Sequence, residues 1–127
     1  MKLLLDSFAL IEFFKGGALG EQVKKLLEKS EDIIITVLNI YEVGYRIEQD
    51  YSKKQAGEYL KSLKMHYRIV NLDDEIAMKA IELRRDFKLP TIDCLIYAAA
   101  KINNAKVVSG CSHFKKLAEQ KDVIILE

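Results

Sequence analysis

Five short apolar runs, each ending at a polar or turn residue, alternate with longer stretches whose apolar residues recur at helical spacing. The runs are Leu3 to Leu5, Ile33 to Thr36, Tyr67 to Leu72, Lys106 to Ser109 and Val123 to Leu126. Between them, Leu19, Val23, Leu26 and Leu27 mark one helical side; Ala56, Tyr59, Leu60 and Leu63 mark a second; Ile76, Ala77, Ala80 and Ile81 mark a third. Strands that alternate with helices are joined by crossovers, which favour a mostly parallel sheet with helices on both faces. The expectation is a three-layer α/β sandwich. Gly16-Gly17 ends a helix that starts near Ser7, and Pro90-Thr91 opens another with Thr91 as its N-cap.

A chain of 127 residues with a hydrophobic share of 50% can bury a sizeable core, and with one proline and no linker or repeat it reads as a single domain over residues 1–127. Its 20 basic and 19 acidic residues give a net charge of +1, so a polyanion must be gripped locally rather than by a global field. The apolar runs fall short of the ~20 residues that a membrane span needs, and Lys2 leads into no signal-peptide pattern. A cytoplasmic protein that meets no membrane is expected. Cys94, Cys111, His66 and His113 are too few and too scattered for a zinc ribbon, a disulfide framework or a histidine-rich metal centre. Oxygen ligands should therefore dominate any metal site.

Three carboxylates stand where charge is out of place. Asp6 closes the run Leu3 to Leu5, Glu42 follows Thr36 by six residues, and Asp93 is the only charged residue between Leu89 and Ala100. An unpaired buried carboxylate costs several kcal/mol or protonates, so three such groups near one core call for a shared compensating charge, which a divalent cation supplies. Each also has a structural explanation. Asp6-Ser7 suits an N-cap, Glu42 has Arg46 at the i,i+4 spacing of an exposed ion pair, and Asp93 falls in the first turn of a helix. The Glu42 helix is expected to bury Val37, Ile40, Tyr41, Gly44 and Ile47. Asp6 and Cys111 both lie just beyond strand ends, where open α/β sheets bind their ligands.

Taken in order, Leu-Leu-Leu-Asp6-Ser7, Thr36-x-x-x-x-Tyr41-Glu42-Val43 and Asp93-Cys94-Leu95-Ile96-Tyr97-Ala98-Ala99-Ala100 resemble the PIN-domain ribonucleases, especially toxins of the VapC type. The resemblance spans nearly the whole chain. It implies a parallel five-stranded sheet in the order 3-2-1-4-5 and a site of Asp6, Glu42 and Asp93 around Mg²⁺ or Mn²⁺. It also implies cleavage of single-stranded RNA, inhibition by a VapB-like antitoxin and assembly as a homodimer. Ser7 is expected to support Asp6, with Arg84, Arg85, Lys115 or Lys116 meeting RNA phosphates. Phe8, Leu10, Ile11, Phe13 and Phe14 give the first helix an apolar surface suited to an antitoxin helix or a dimer seam.

The chain departs from the family where an acid usually follows the fourth strand. It has Ser109-Gly110-Cys111-Ser112-His113-Phe114 there, and a thiol is a poor Mg²⁺ ligand. Phe8 likewise replaces a small polar residue. A PIN-like domain that binds RNA or protein without cutting is the alternative that Cys111 raises.

Overall fold

The computed structural model describes residues 1–127. Its strands are β1 (Lys2–Leu5), β2 (Asp32–Thr36), β3 (Arg68–Val70), β4 (Lys106–Ser109) and β5 (Val123–Ile125). They form one sheet in the order β3-β2-β1-β4-β5, every neighbouring pair parallel. That is the order the resemblance implied. β1 is central because Leu3-Leu4-Leu5 can be buried on both faces: Leu4 pairs in register with Ile34 on one side and Val107 on the other.

Alternation along the strands divides the core into two. Leu3, Leu5, Ile35 and Val108 face α1 (Ser7–Lys15), α2 (Ala18–Glu28), α3 (Val37–Asp50) and α4 (Lys53–His66). Leu4, Ile34 and Val107 face the other way, onto α5 (Asp74–Phe87) and α6 (Thr91–Ile102), with Phe114 of the short helix α7 (Ser112–Lys115). The result is helix, sheet, helix.

Gly16 takes a left-handed φ of 76° at the end of α1 and returns its N–H to the Glu12 carbonyl, as a C-terminal glycine should. Asp73 caps α5 through the Ile76 N–H at 2.9 Å. Thr91, however, is the first helical residue and not the cap. Pro90 takes the extended cap conformation, φ −58° and ψ 158°, and its carbonyl accepts from the Cys94 N–H at 2.9 Å. The third expected strand also shortens at both ends, because Tyr67 is the C-cap of α4 and Asn71-Leu72 precede the Asp73 cap. No helix is long and apolar enough to cross a membrane.

Candidate active site

The sheet order reverses between β1 and β4, and the ends of both strands open into a cleft of about 830 Å³. Asp6, Glu42 and Asp93 all line it, with Ser7, Cys111 and His113. Three different elements bring the acids there. Asp6 is the residue between β1 and α1, Glu42 lies in the second turn of α3, and Asp93 lies in the first turn of α6.

Asp6 is only 3% exposed. One carboxylate oxygen caps α1 by accepting the Ala9 N–H at 2.9 Å, so the capping and site roles fall on the same side chain. Burial pushes its pKa from 3.8 up to about 7; the Ser109 hydroxyl and the Ala9 N–H act against that rise, and the charges of Asp93 and Glu42 add to it. No lysine or arginine pairs with it. Burial also raises the pKa of Asp93, opposed by His113, whose Nδ1 lies 2.8 Å from Asp93 Oδ2.

Glu42 is held by a relay of hydrogen bonds that begins at the end of β2. The Thr36 N–H and hydroxyl donate to Asn39 Oδ1 at 2.7 and 2.9 Å, and Asn39 N–H returns to Thr36 Oγ1 at 3.2 Å, a capping box for α3. Asn39 Nδ2 donates to Ser7 Oγ at 3.0 Å, and Ser7 Oγ donates to Glu42 Oε1 at 2.6 Å. Glu42 Oε1 is thus oriented by Ser7 of α1, itself held by Asn39 of α3, without a cation.

The family model for the PIN domain matches residues 3–120. The chain belongs to the PIN domain family. Among solved structures, this PIN domain resembles a chain of a toxin-antitoxin complex from Klebsiella pneumoniae with a TM-score of 0.79 at 22% identity, covering 98% of each chain. VapBC2 from Rickettsia felis, bound to a DNA fragment from its promoter, gives 0.75 at 20% identity over 98% of this chain and 97% of that one. VapC20 from Mycobacterium tuberculosis, a toxin that cleaves the sarcin-ricin loop, gives 0.72 at 12% identity over 91% and 94%. At those identities the likeness speaks for the fold. No curated protein matches the chain in sequence.

Several expectations for this PIN domain need correcting. Ser7 supports Glu42 rather than Asp6; the hydroxyl beside Asp6 belongs to Ser109. Glu42 does not pair with Arg46, whose Nε lies 2.6 Å from Asp50 Oδ2 one turn further on. The buried positions of α3 are Asn39, Val43, Gly44 and Ile47, which turns Tyr41 outward and Glu42 into the cleft. Nor do Arg84, Arg85, Lys115 or Lys116 line it: Arg84 Nη1 is committed to the Leu89 carbonyl at 2.7 Å, and the cations at the rim are Lys15 and Arg46.

Four contributors escaped the sequence-based reading. Asn39 and Ser109 are fully buried polar residues that orient the acids. Thr36-x-x-Asn39 was the visible signal for the first, a capping-box spacing with an amide in the third place. Tyr41 and Tyr45, 67% and 58% exposed, stack at 6.2 Å with planes 10° apart beside the cleft. Their i,i+4 spacing is what makes that stack possible.

Cys111 lines the same cleft as the three acids and forms its fourth corner. It occupies the N-cap position of α7 with no side-chain capping bond, while its N–H donates to Ser109 Oγ at 3.1 Å. Phe8 lies against Gly110: a Cβ there would come within 2.5 Å of Phe8 Cε1. The large residue after Asp6-Ser7 is accommodated by the absent side chain before Cys111.

Proposed function

We propose that this PIN domain is a divalent-metal-dependent endoribonuclease that cuts single-stranded RNA, acting as the toxin of a VapBC-type pair. The observation that carries the reading is the convergence of Asp6, Glu42 and Asp93 on one cleft where neither Asp6 nor Glu42 has an ion-pair partner. An acid buried to 3% exposure whose pKa is raised further by two neighbouring carboxylates is a donor set short of positive charge. Hard oxygen donors of that kind fit Mg²⁺ or Mn²⁺.

Asp6, Glu42 and Asp93 would hold the ion. When bound, Mg²⁺ or Mn²⁺ supplies activation of water and neutralisation of charge gathering on the phosphate. The chain's own residues do the positioning. Ser7 and Asn39 fix Glu42, the Ala9 N–H and Ser109 fix Asp6, and the first turn of α6 presents Asp93 between the apolar Ile92 and Cys94. Single-stranded RNA is favoured by the stacked, exposed Tyr41 and Tyr45, since unpaired bases can lie on aromatic rings while Lys15 and Arg46 meet phosphates.

A VapB-like antitoxin and a second copy of the chain complete the proposal. Around α1, Phe8, Ile11, Phe13 and Phe14 are only partly buried and supply an apolar surface for a partner helix. The protein should therefore be toxic or poorly soluble when expressed alone and recover with its partner.

The deciding experiment is cleavage of a fluorescent single-stranded RNA with Mn²⁺ or Mg²⁺. Asp93→Asn should lose at least about 100-fold in rate, on the scale of losing a group that acts on the transition state. Full activity in Asp93→Asn, or in EDTA, sinks the proposal. No saturable Mn²⁺ binding by calorimetry, together with no cleavage, would favour the alternative of a PIN domain that binds RNA or protein and no longer cuts.

A further inference from the structure

The fourth corner of the cleft has a chemistry of its own. A carboxylate oxygen of Asp93, the Cys111 sulfur and a ring nitrogen of His113 lie within 4.8 Å of one another. They come from two elements, the first turn of α6 and the start of α7, so the grouping depends on the fold and not on local spacing. Cys111 makes no side-chain capping bond that would engage its sulfur, and it is half-buried and free of any disulfide. His113 is exposed, with Nδ1 2.8 Å from Asp93 Oδ2. The other thiol, Cys94, is buried on α6 and donates to the Leu89 carbonyl at 3.2 Å, so it takes no part.

We propose that Asp93, Cys111 and His113 form a site for one thiophilic divalent ion, Zn²⁺ in particular, which shares Asp93 with the acidic cleft. One sulfur, one nitrogen and one oxygen donor is a set that zinc accepts and magnesium does not. Metal–ligand distances of about 2.0–2.3 Å put tetrahedral ligands about 3.3–3.8 Å apart, within reach of small side-chain adjustments from the observed spread. Three protein ligands leave a fourth position open to water. His113 Nδ1, which already lies 2.8 Å from Asp93 Oδ2, is the ring nitrogen that can share one ion with that carboxylate.

Sharing Asp93 has a consequence. An ion at this corner withdraws one of the three acids from the oxygen site, so zinc should silence the nuclease. That consequence rests on the function proposed above; the binding itself does not.

The test is a titration of reduced, metal-free protein with Co²⁺ as a spectroscopic stand-in for zinc. A saturable thiolate-to-Co²⁺ charge-transfer band in the near ultraviolet, complete at one equivalent and displaced by Zn²⁺, is expected. It should vanish in Cys111→Ser, persist in Cys94→Ser, and in His113→Ala require at least about 100-fold more Co²⁺ for the same occupancy, above the range for losing only an outer-shell partner. Circular dichroism establishes that each variant is folded. No band in the folded wild-type protein, or an equal band in Cys111→Ser, overturns the site.

In the second arm, with each protein's rate taken relative to its own zinc-free rate, stoichiometric Zn²⁺ should inhibit Mg²⁺-dependent RNA cleavage by the wild type and inhibit Cys111→Ser far less. Cleavage by the wild type that ignores bound zinc overturns the competition for Asp93. A Cys111-dependent Co²⁺ band in a protein that cleaves no RNA with any metal upholds the site and overturns the nuclease function alone.

Discussion

Replacing Asp6 with asparagine should make the metal-free protein more stable at pH 8 while abolishing its activity. In the folded chain the Asp6 carboxyl titrates at about 7, against 3.8 for an unburied aspartate, because burial disfavours the charged form. Between those values the unfolded chain has lost the proton and the folded chain still holds it. The unfolded state then binds fewer protons, so stability falls as pH rises from about 4 to about 7 and is flat above. A shift of about three units at about 1.36 kcal/mol per unit makes the full penalty about 4 kcal/mol at pH 8. Asparagine cannot ionise, yet its side-chain oxygen can still accept the Ala9 N–H that caps α1, and asparagine is as good an N-cap as aspartate. The comparison therefore isolates the charge. Asp93 and Asp122, whose pKa values are raised and lowered respectively, are present in both proteins and largely cancel in the difference. Thermal unfolding followed by circular dichroism in EDTA, from pH 4 to pH 8.5, should show Asp6→Asn gaining on the wild type as pH rises. The gap should reach on the order of 10 °C at pH 8 and close near pH 4. Added Mn²⁺ should narrow it, because the wild type alone gains from binding. A gap that does not change with pH, or an Asp6→Asn protein less stable than the wild type at pH 8, would refute the claim that Asp6 is a strained, charge-starved carboxylate.

Three further outcomes test separate parts of the site. Ser7→Ala breaks the relay from Asn39 to Glu42 and should cost about 1 kcal/mol in a urea melt, with a slower cleavage rate because Glu42 loses its orienting donor. Gly110→Ala should cost about 1–3 kcal/mol by forcing the Phe8 ring aside, and in a Phe8→Ala background the same substitution should be nearly neutral; an unchanged cost there would mean that Phe8 is not the obstacle. Tyr41→Ala and Tyr45→Ala should each raise KM for single-stranded RNA by about tenfold or more while leaving kcat and the melting temperature nearly unchanged, since a base stacked on an aromatic ring is worth about 1–3 kcal/mol and both side chains are exposed.

Asp93 was legible because the helix around it has no polar side: among Ile92, Cys94, Leu95, Ile96 and Tyr97 a carboxylate contradicts every local preference. Asp6 was legible only in position, since capping and chemistry demand the same residue there, and the structure gives it both roles. Glu42 was misread by local rules. An acid with arginine four residues on reads as a surface pair, and the apolar stripe was drawn through Tyr41. What overrode that pattern was Asn39, a polar side chain fully buried because its amide serves Thr36 and Ser7 at once. Its burial rotates α3 so that Val43 and Ile47 pack inward and Glu42 faces α1. Hydrophobic periodicity cannot register a buried residue whose stabilisation comes from hydrogen bonds.

The same limit explains why Cys111 and His113 carried no clear meaning in sequence. By themselves they are too few to make a metal centre; the third group that changes their chemistry is Asp93, on a helix that precedes β4. Crossover connections place α6 and α7 at the same end of the sheet, so a substitution after β4 acts on an acid presented by α6. Cys111 and His113 thus set two softer donors beside the hard donor Asp93, and the metal preference of that corner should follow from the mixture.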